Sequence, residues 1–158
     1  MPKSNRKRAI QALQHAYQAQ IDGDLDRAIY LYLHSLEWYP TAEAHTYLGW
    51  AYSFKKDYER AMAECRKAID LDPDFGNPYN DIGAYLMELG REEEAIPWLK
   101  KAVAAKHYDC PWFPHYNLGR IWEGRHDWAA AELEFAKVLE LRPSFTAARK
   151  GLERVKGK

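Results

Sequence analysis

At 158 residues, 47% hydrophobic and 29% charged, the chain has the size and composition of one ordinary globular domain rather than a disordered segment. Its 23 basic and 23 acidic residues balance, which excludes the net field that holds polyanions non-specifically and leaves any nucleic-acid role to a local patch. No apolar run approaches the ~18 residues of a membrane span, and the opening MPKSNRKRAIQAL lacks the apolar core and cleavage site of a secretion signal, so a cytoplasmic protein without a membrane partner is expected.

In chain order, residues 1–8 carry Lys3, Arg6, Lys7 and Arg8 with almost nothing apolar, the composition of a mobile basic arm. From Ala9 the apolar residues fall into helical hairpins. The first, 9–41, has Ala16 and Ala28 in its close-approach positions and Pro40 at its end. The second, 42–75, is the clearest. Leu48, Gly49 and Tyr52, then Tyr58, Ala61, Cys65, Ala68 and Leu71, recur at i, i+3, i+4 and i+7 on either side of the polar break Lys55-Lys56-Asp57. Gly49 and Ala61 let two helix backbones approach where nothing larger fits. Cys65 falls on the buried stripe, and with Cys110 in another hairpin and no CxxC, a disulfide framework is not indicated.

The third hairpin, 76–111, returns Gly83, Ala95 and Ala102 thirty-four residues later, and the fourth, 112–145, returns Gly119, Ala131 and Val138 thirty-six later again, so two residues are inserted between them. Asp24, Asp57 and Asp127 each precede a second helix, where a carboxylate accepts from the free N–H groups of the first turn. Pro78 and Pro114 open first helices, where a missing N–H costs nothing. Pro97 falls inside a second helix, where it removes a hydrogen bond and either costs ~3 kcal/mol or kinks the helix. The amphipathic piece 146–155, with Ala147, Ala148, Leu152 and Val155 to bury, serves as a capping helix, and 156–158 form a tail. The chain is therefore expected to be all-α, an α-solenoid of four helix-turn-helix repeats and a cap.

The period of about 34, carried by YLGWAY, DYERAMAECRKAIDLDP, NDIGAYLMELGREEEAIPWLKKAV and NLGRIWEGRHDWAAAELEFAKVLELRP, resembles tetratricopeptide repeats. The columns Ala16/Gly49/Gly83/Gly119 and Ala28/Ala61/Ala95/Ala131 recur with Pro40, Pro73 and Pro143, and the likeness spans about 9–155. Repeat one departs by having alanine in place of glycine and Ala19 where an aromatic is usual; repeat three has His107 in place of the closing proline. The resemblance implies a right-handed superhelix whose first helices line a concave face, and a non-enzymatic adaptor for protein partners. Family members that bind chaperone C-terminal carboxylates use a lysine and an asparagine, then an asparagine, then a lysine and an arginine across three repeats. The matching positions here are Leu13, Tyr17, Tyr47, Asn77 and Asp81, or Thr46, Trp50, Asp81, Phe113 and Asn117 one repeat later. Neither frame supplies that clamp, and Asp81 would repel a carboxylate.

Trp38, Tyr52, Trp98, Trp122 and Trp128 stand in packing columns and are expected in the core. Trp50 instead lies on the concave face, where Tyr17, Tyr47 and Phe54 join it as an aromatic floor. The same face continues as Asn77, Asn80, Asp81, Ala84, Met87 and Glu88, then Phe113, Tyr116, Asn117, Arg120 and Glu123. An extended or short helical peptide is expected there, anchored near Trp50 and Phe54. Asn80 and Asn117 suit its backbone, Arg120 a carboxylate, and Asp81, Met87 and Tyr116 complete the lining.

Other chemistries find less support. His107, Cys110 and His115, with Asp109, fit no familiar zinc spacing, and a longer inter-repeat loop stiffened by Pro111 and Pro114 is preferred over a metal site. There is no glycine-rich phosphate loop, nucleophile elbow or His-Glu-x-x-His, so neither an enzyme nor a cofactor is expected. Arg142, Arg149, Lys150, Arg154, Lys156 and Lys158 crowd the C-terminal end. They offer nucleic-acid binding as an alternative, though a solvated cap explains them more simply. Self-association through the cap or the groove is a third reading.

Overall fold

The computed structural model describes residues 2–158, with side chains from Lys3 onward. Among these residues the chain forms helices α1 (Pro2–Ile21), α2 (Leu25–Trp38), α3 (Ala42–Phe54), α4 (Tyr58–Leu71), α5 (Asn77–Glu88), α6 (Glu92–Ala104), α7 (Trp112–Gly124), α8 (Trp128–Leu141) and α9 (Thr146–Val155). They pair as hairpins α1–α2, α3–α4, α5–α6 and α7–α8, with α9 packed on α8. Each first helix also touches the next first helix, α1 to α3, α3 to α5 and α5 to α7, and α7 meets α9; second helices make no such contacts with one another. The first helices therefore form the inner, more tightly curved layer of an α-solenoid.

Small residues set the spacing within each hairpin. A Cβ on Gly49 would stand 2.8 Å from the carbonyl oxygen of Ala61, a backbone atom that cannot swing aside. On Gly83 it would meet Leu99 at 2.5 Å, and on Gly119 the Phe135 ring at 2.6 Å. Ala16, Ala28, Ala61, Ala95 and Ala131 are completely buried. The last core cluster is built around Phe135, held between the bare faces of Gly119 and Gly151 and joined by Val138, Ala148 and Val155.

Local chemistry places the helix starts. Asp24, Asp57 and Asp127 accept from the N–H groups of Arg27, Arg60 and Ala130, each at 3.2 Å. Thr41 caps α3 through the N–H of Ala44 at 3.1 Å. The residue before each α2, α4, α6 and α8 cap is left-handed, with φ of 86° at Gly23, 59° at Lys56, 72° at Gly90 and 62° at His126. Two inner-to-outer pairs repeat in the fold. His45 Nδ1 lies 2.6 Å from Glu64 Oε2, and His115 Nδ1 lies 2.7 Å from Glu134 Oε2. Burial raises the Glu64 carboxyl, but hydrogen bonds from His45 and Lys67 outweigh it and hold the group below its ordinary 4.5.

Three expectations are corrected. The basic arm is helical: α1 starts at Pro2 rather than Ala9, and only Met1 lies outside the described residues. The Arg8 guanidinium sits 4.7 Å from the Trp38 ring centroid and that of Arg6 5.8 Å from Tyr39, so the added turns of helix have something to rest on. Trp38 is accordingly exposed beneath that cation instead of in the core. Helix α6 includes Pro97 and is not ended by it. Ala147 is exposed, and Gly151 makes the close contact with Phe135.

Gly49→Val is expected to cost about 1–3 kcal/mol in urea unfolding. Gly124→Ala, whose added Cβ meets nothing within 4 Å, should leave stability unchanged or raise it. Because the folded Glu64 carboxyl titrates below 4.5, its contribution is complete above that pH and is lost as pH falls through the folded value. Unfolding midpoints against pH should therefore decline less steeply on the acid side in Glu64→Gln than in the wild type.

Candidate functional site

The inner layer leaves one concave trough of about 510 Å³. Tyr17 from α1 and Tyr47 and Trp50 from α3 form one wall, with Tyr17 5.7 Å from Tyr47 and 6.4 Å from Trp50 between ring centroids. Asn77, Asn80, Asp81 and Ala84 from α5 make the floor, and Phe113 and Asn117 from α7 the far side. Asn117 Nδ2 donates to Asn80 Oδ1 at 3.1 Å, a buried amide pair that ties α7 to α5.

The fourth side comes from outside the helices. Between α6 and α7 the chain runs back along the α4–α5 turn: the Gly76 N–H donates to the His107 carbonyl at 2.9 Å, and the His107 N–H to the Asp74 carbonyl at 3.1 Å. The His107 ring stacks on Phe75 at 5.6 Å and its Nε2 lies 3.0 Å from Asp72. Gly76 is required here for proximity, since a Cβ would fall 2.8 Å from that of Tyr108. This fastening delivers Tyr108, Asp109 and Cys110 to the trough, beside Phe75.

Electrostatically the trough is acidic, with Asp81 half-buried in its floor and Asp109 exposed at its edge. Burial pushes the Asp81 carboxyl up to about 7, opposed only by a hydrogen bond from Asn80. Burial, and then the nearby Asp81, raise the Tyr108 hydroxyl. Burial, followed by the charge of Asp109, raises the Cys110 thiol against the opposing pull of Arg142.

Of the residues expected at the site, Tyr17, Tyr47, Trp50, Asn80, Asp81 and Asn117 line the trough together. The other four do not. Phe54 packs edge-on to Trp50 at 5.3 Å and faces a neighbouring hollow with Ile21 and Leu25. Met87 packs against the central core. Tyr116 packs on Phe145 at 5.0 Å and Phe135 at 6.0 Å, because Phe113 and Asn117 share a helix face and Tyr116 is turned about 100° from Asn117. Arg120 is an exposed rim residue whose Nη1 reaches Asn117 Oδ1 at 3.5 Å.

Sequence reasoning missed Phe75, Tyr108, Asp109 and Cys110 as lining; the two-residue insertion was the signal that could have found them. His107 faces Asp72 and His115 faces Glu134. Among the described residues no three His, Cys, Asp or Glu side chains converge as metal ligands.

Models of the tetratricopeptide repeat match residues 42–75 and 77–106, the α3–α4 hairpin and most of α5–α6. The chain belongs to the tetratricopeptide repeat family. No curated protein matches it by sequence. Among solved structures, PilW, described as a widely conserved type IV pilus biogenesis factor, is 25% identical with a TM-score of 0.84, covering 94% of this chain and 68% of PilW. PilF of Pseudomonas aeruginosa is 24% identical with a TM-score of 0.89, over 96% of this chain and 69% of PilF. YrrB, described as a tetratricopeptide repeat protein with an unusual peptide-binding site, is 23% identical with a TM-score of 0.68, over 97% of this chain and 78% of YrrB. The fold is that of a protein–protein interaction scaffold. Among the described residues no helix is long and apolar enough to cross a membrane.

Gly76→Ala should push Tyr108 outward and unfasten residues 105–111 while the helices persist. Amide exchange at His107 and Gly76 is expected to accelerate by about tenfold or more, against unchanged protection in α3 and α4. Equal protection of the two amides in variant and wild type would show that the insert is held some other way.

Proposed function

We propose that the protein is a non-enzymatic adaptor that holds a peptide segment of a partner in this trough. The observation that carries the reading is the convergence of Tyr17, Tyr47, Trp50 and Phe113 on one concave surface with the Asn80–Asn117 amides between them. Aromatic walls supply contact area at low conformational cost, and free amide valences suit a peptide backbone. The likeness to PilW and PilF supports a partner drawn from a multiprotein assembly, and the likeness to YrrB supports a peptide as the thing held. In this reading the protein works in the cytosol, where its two free cysteines stay reduced.

The alternative of a basic nucleic-acid surface on the cap is weakened by the engagement of its cations. Arg154 makes two hydrogen bonds to Glu123, at 2.7 and 3.0 Å, and Arg149 donates to the Pro143 carbonyl at 2.8 Å. Arg142 lies 4.8 Å over the Trp112 ring. A chaperone-type terminal carboxylate is a poor fit for a trough that presents Asp81 and Asp109 and no Lys, Arg or His.

Selection of a displayed library of random peptides on the folded protein tests the reading. Ligands so enriched should lose affinity by about tenfold or more on Trp50→Ala or Phe113→Ala, and not on Leu133→Ala, which sits 74% exposed on an outer helix. Peptides indifferent to both aromatic substitutions, or tight binding of a peptide ending in EEVD, would refute it.

A further inference from the structure

We infer that the trough is built to receive a cationic side chain, an arginine or lysine of the bound segment, with its charge against Asp81 and its stem among the aromatic rings. The inference rests on the trough being the peptide site and adds what the peptide must carry.

The first observation is the charge of the lining. It holds two carboxylates, Asp81 and Asp109, and no Lys, Arg or His, although the chain as a whole is neutral. The lining is thus anionic in a balanced molecule, with Arg120 outside it at the rim and turned to the Asn117 amide.

A second observation concerns how the protein treats carboxylates elsewhere in its packed layers. Glu64 lies against His45 and Lys67, Glu134 against His115, and Glu123 against Arg154. Asp81 has the amide of Asn80 and no cation within ion-pair reach among the described residues. A desolvated carboxylate without a counter-charge destabilises the fold, and such groups concentrate where a ligand completes them.

The aromatic rings repeat the pattern. Elsewhere in the molecule five partly exposed rings carry a cation of the chain's own: Arg8 on Trp38, Arg60 on Tyr52, Lys101 on Trp98, Arg125 on Trp122 and Arg142 on Trp112. Among the described residues, none of Tyr17, Tyr47, Trp50, Phe75, Tyr108 and Phe113 does. Rings that carry no Lys or Arg of the chain, set around an unpaired carboxylate, match a desolvated cation, because the ring faces attract positive charge and the carboxylate neutralises it. An apolar side chain would bury Asp81 unpaired, and an acidic one would oppose it. A volume of about 510 Å³ admits an arginine side chain with the flanking backbone.

The probes are N-acetyl-arginine N-methylamide, its lysine counterpart, and N-acetyl-citrulline N-methylamide, which keeps the shape of arginine without the charge. Titrations followed by amide resonances should show the two cations shifting Trp50, Asn80 and Tyr108, with citrulline weaker by about tenfold or more. Asp81→Asn should reduce arginine to the citrulline level, while Asp70→Asn on an exposed face leaves it unchanged. Thermal unfolding of Asp81→Asn should show no loss of stability, since the substitution removes an uncompensated charge. Citrulline binding as well as arginine, arginine unaffected by Asp81→Asn, or shifts confined to other surfaces would each overturn the inference. Failure here separates from failure of the adaptor reading. Selected peptides that need Trp50 yet carry no cation and ignore Asp81→Asn sink the cation and leave the groove. Peptides indifferent to Trp50 sink the groove itself.

Discussion

The contact on which the rest of the molecule depends is the approach of Gly49 to the Ala61 carbonyl, where a single added carbon would stand 2.8 Å from a backbone oxygen. A helix pair this close cannot be spread by rotating a side chain, so its geometry is fixed by the backbones alone. Its counterparts at Gly83 and Gly119 rest on Leu99 and Phe135 instead, which lets the later hairpins adjust through side-chain packing while keeping the same register. Tight first-to-second spacing leaves the first helices free to touch each other in an inner layer. Their remaining faces then line a trough.

The repeating parts were legible because the constraint repeats. A close approach demands a small residue at one position of every hairpin, and Asp24, Asp57 and Asp127 announce each second helix by satisfying its free N–H groups. The site was legible only in part. Trp50, Asn80 and Asn117 share the inner face that helical spacing assigns them, but Tyr116 and Met87 lie at its margin, where a rotation of one residue decides between trough and core. Spacing along one helix does not specify how far its neighbour turns it. The α1 start was misjudged for a related reason. Residues 3–8 bury little of their own, and it is Trp38 and Tyr39 of α2, distant in sequence, that give Arg8 and Arg6 rings to cover.

Charge is distributed by the same economy of contact. Carboxylates of the packed layers are matched to histidines or basic residues from neighbouring helices, and several outward-facing tryptophans are matched to cations. The neutral balance of the sequence therefore reflects pairing at short range rather than an absence of local fields. Asp81 stands apart, because the only group that moderates its burial is an uncharged amide on the preceding residue. The wall that encloses it belongs to the one stretch that breaks the repeat.

That break explains why a regular array can still hold a specific pocket. Four identical hairpins would offer a shallow, uniform groove, since every side chain facing it would come from a first helix. Two extra residues allow the chain between α6 and α7 to turn back onto the α4–α5 turn, where His107 is fastened by two backbone hydrogen bonds and by Phe75 and Asp72. Tyr108, Asp109 and Cys110 then stand across the groove from Tyr47 and Trp50. The closing proline of the other repeats could not make the bond that the His107 N–H makes to Asp74. Replacing it with a residue that donates is what converts an open face into a walled trough, so the departure from the family pattern and the candidate site are one feature.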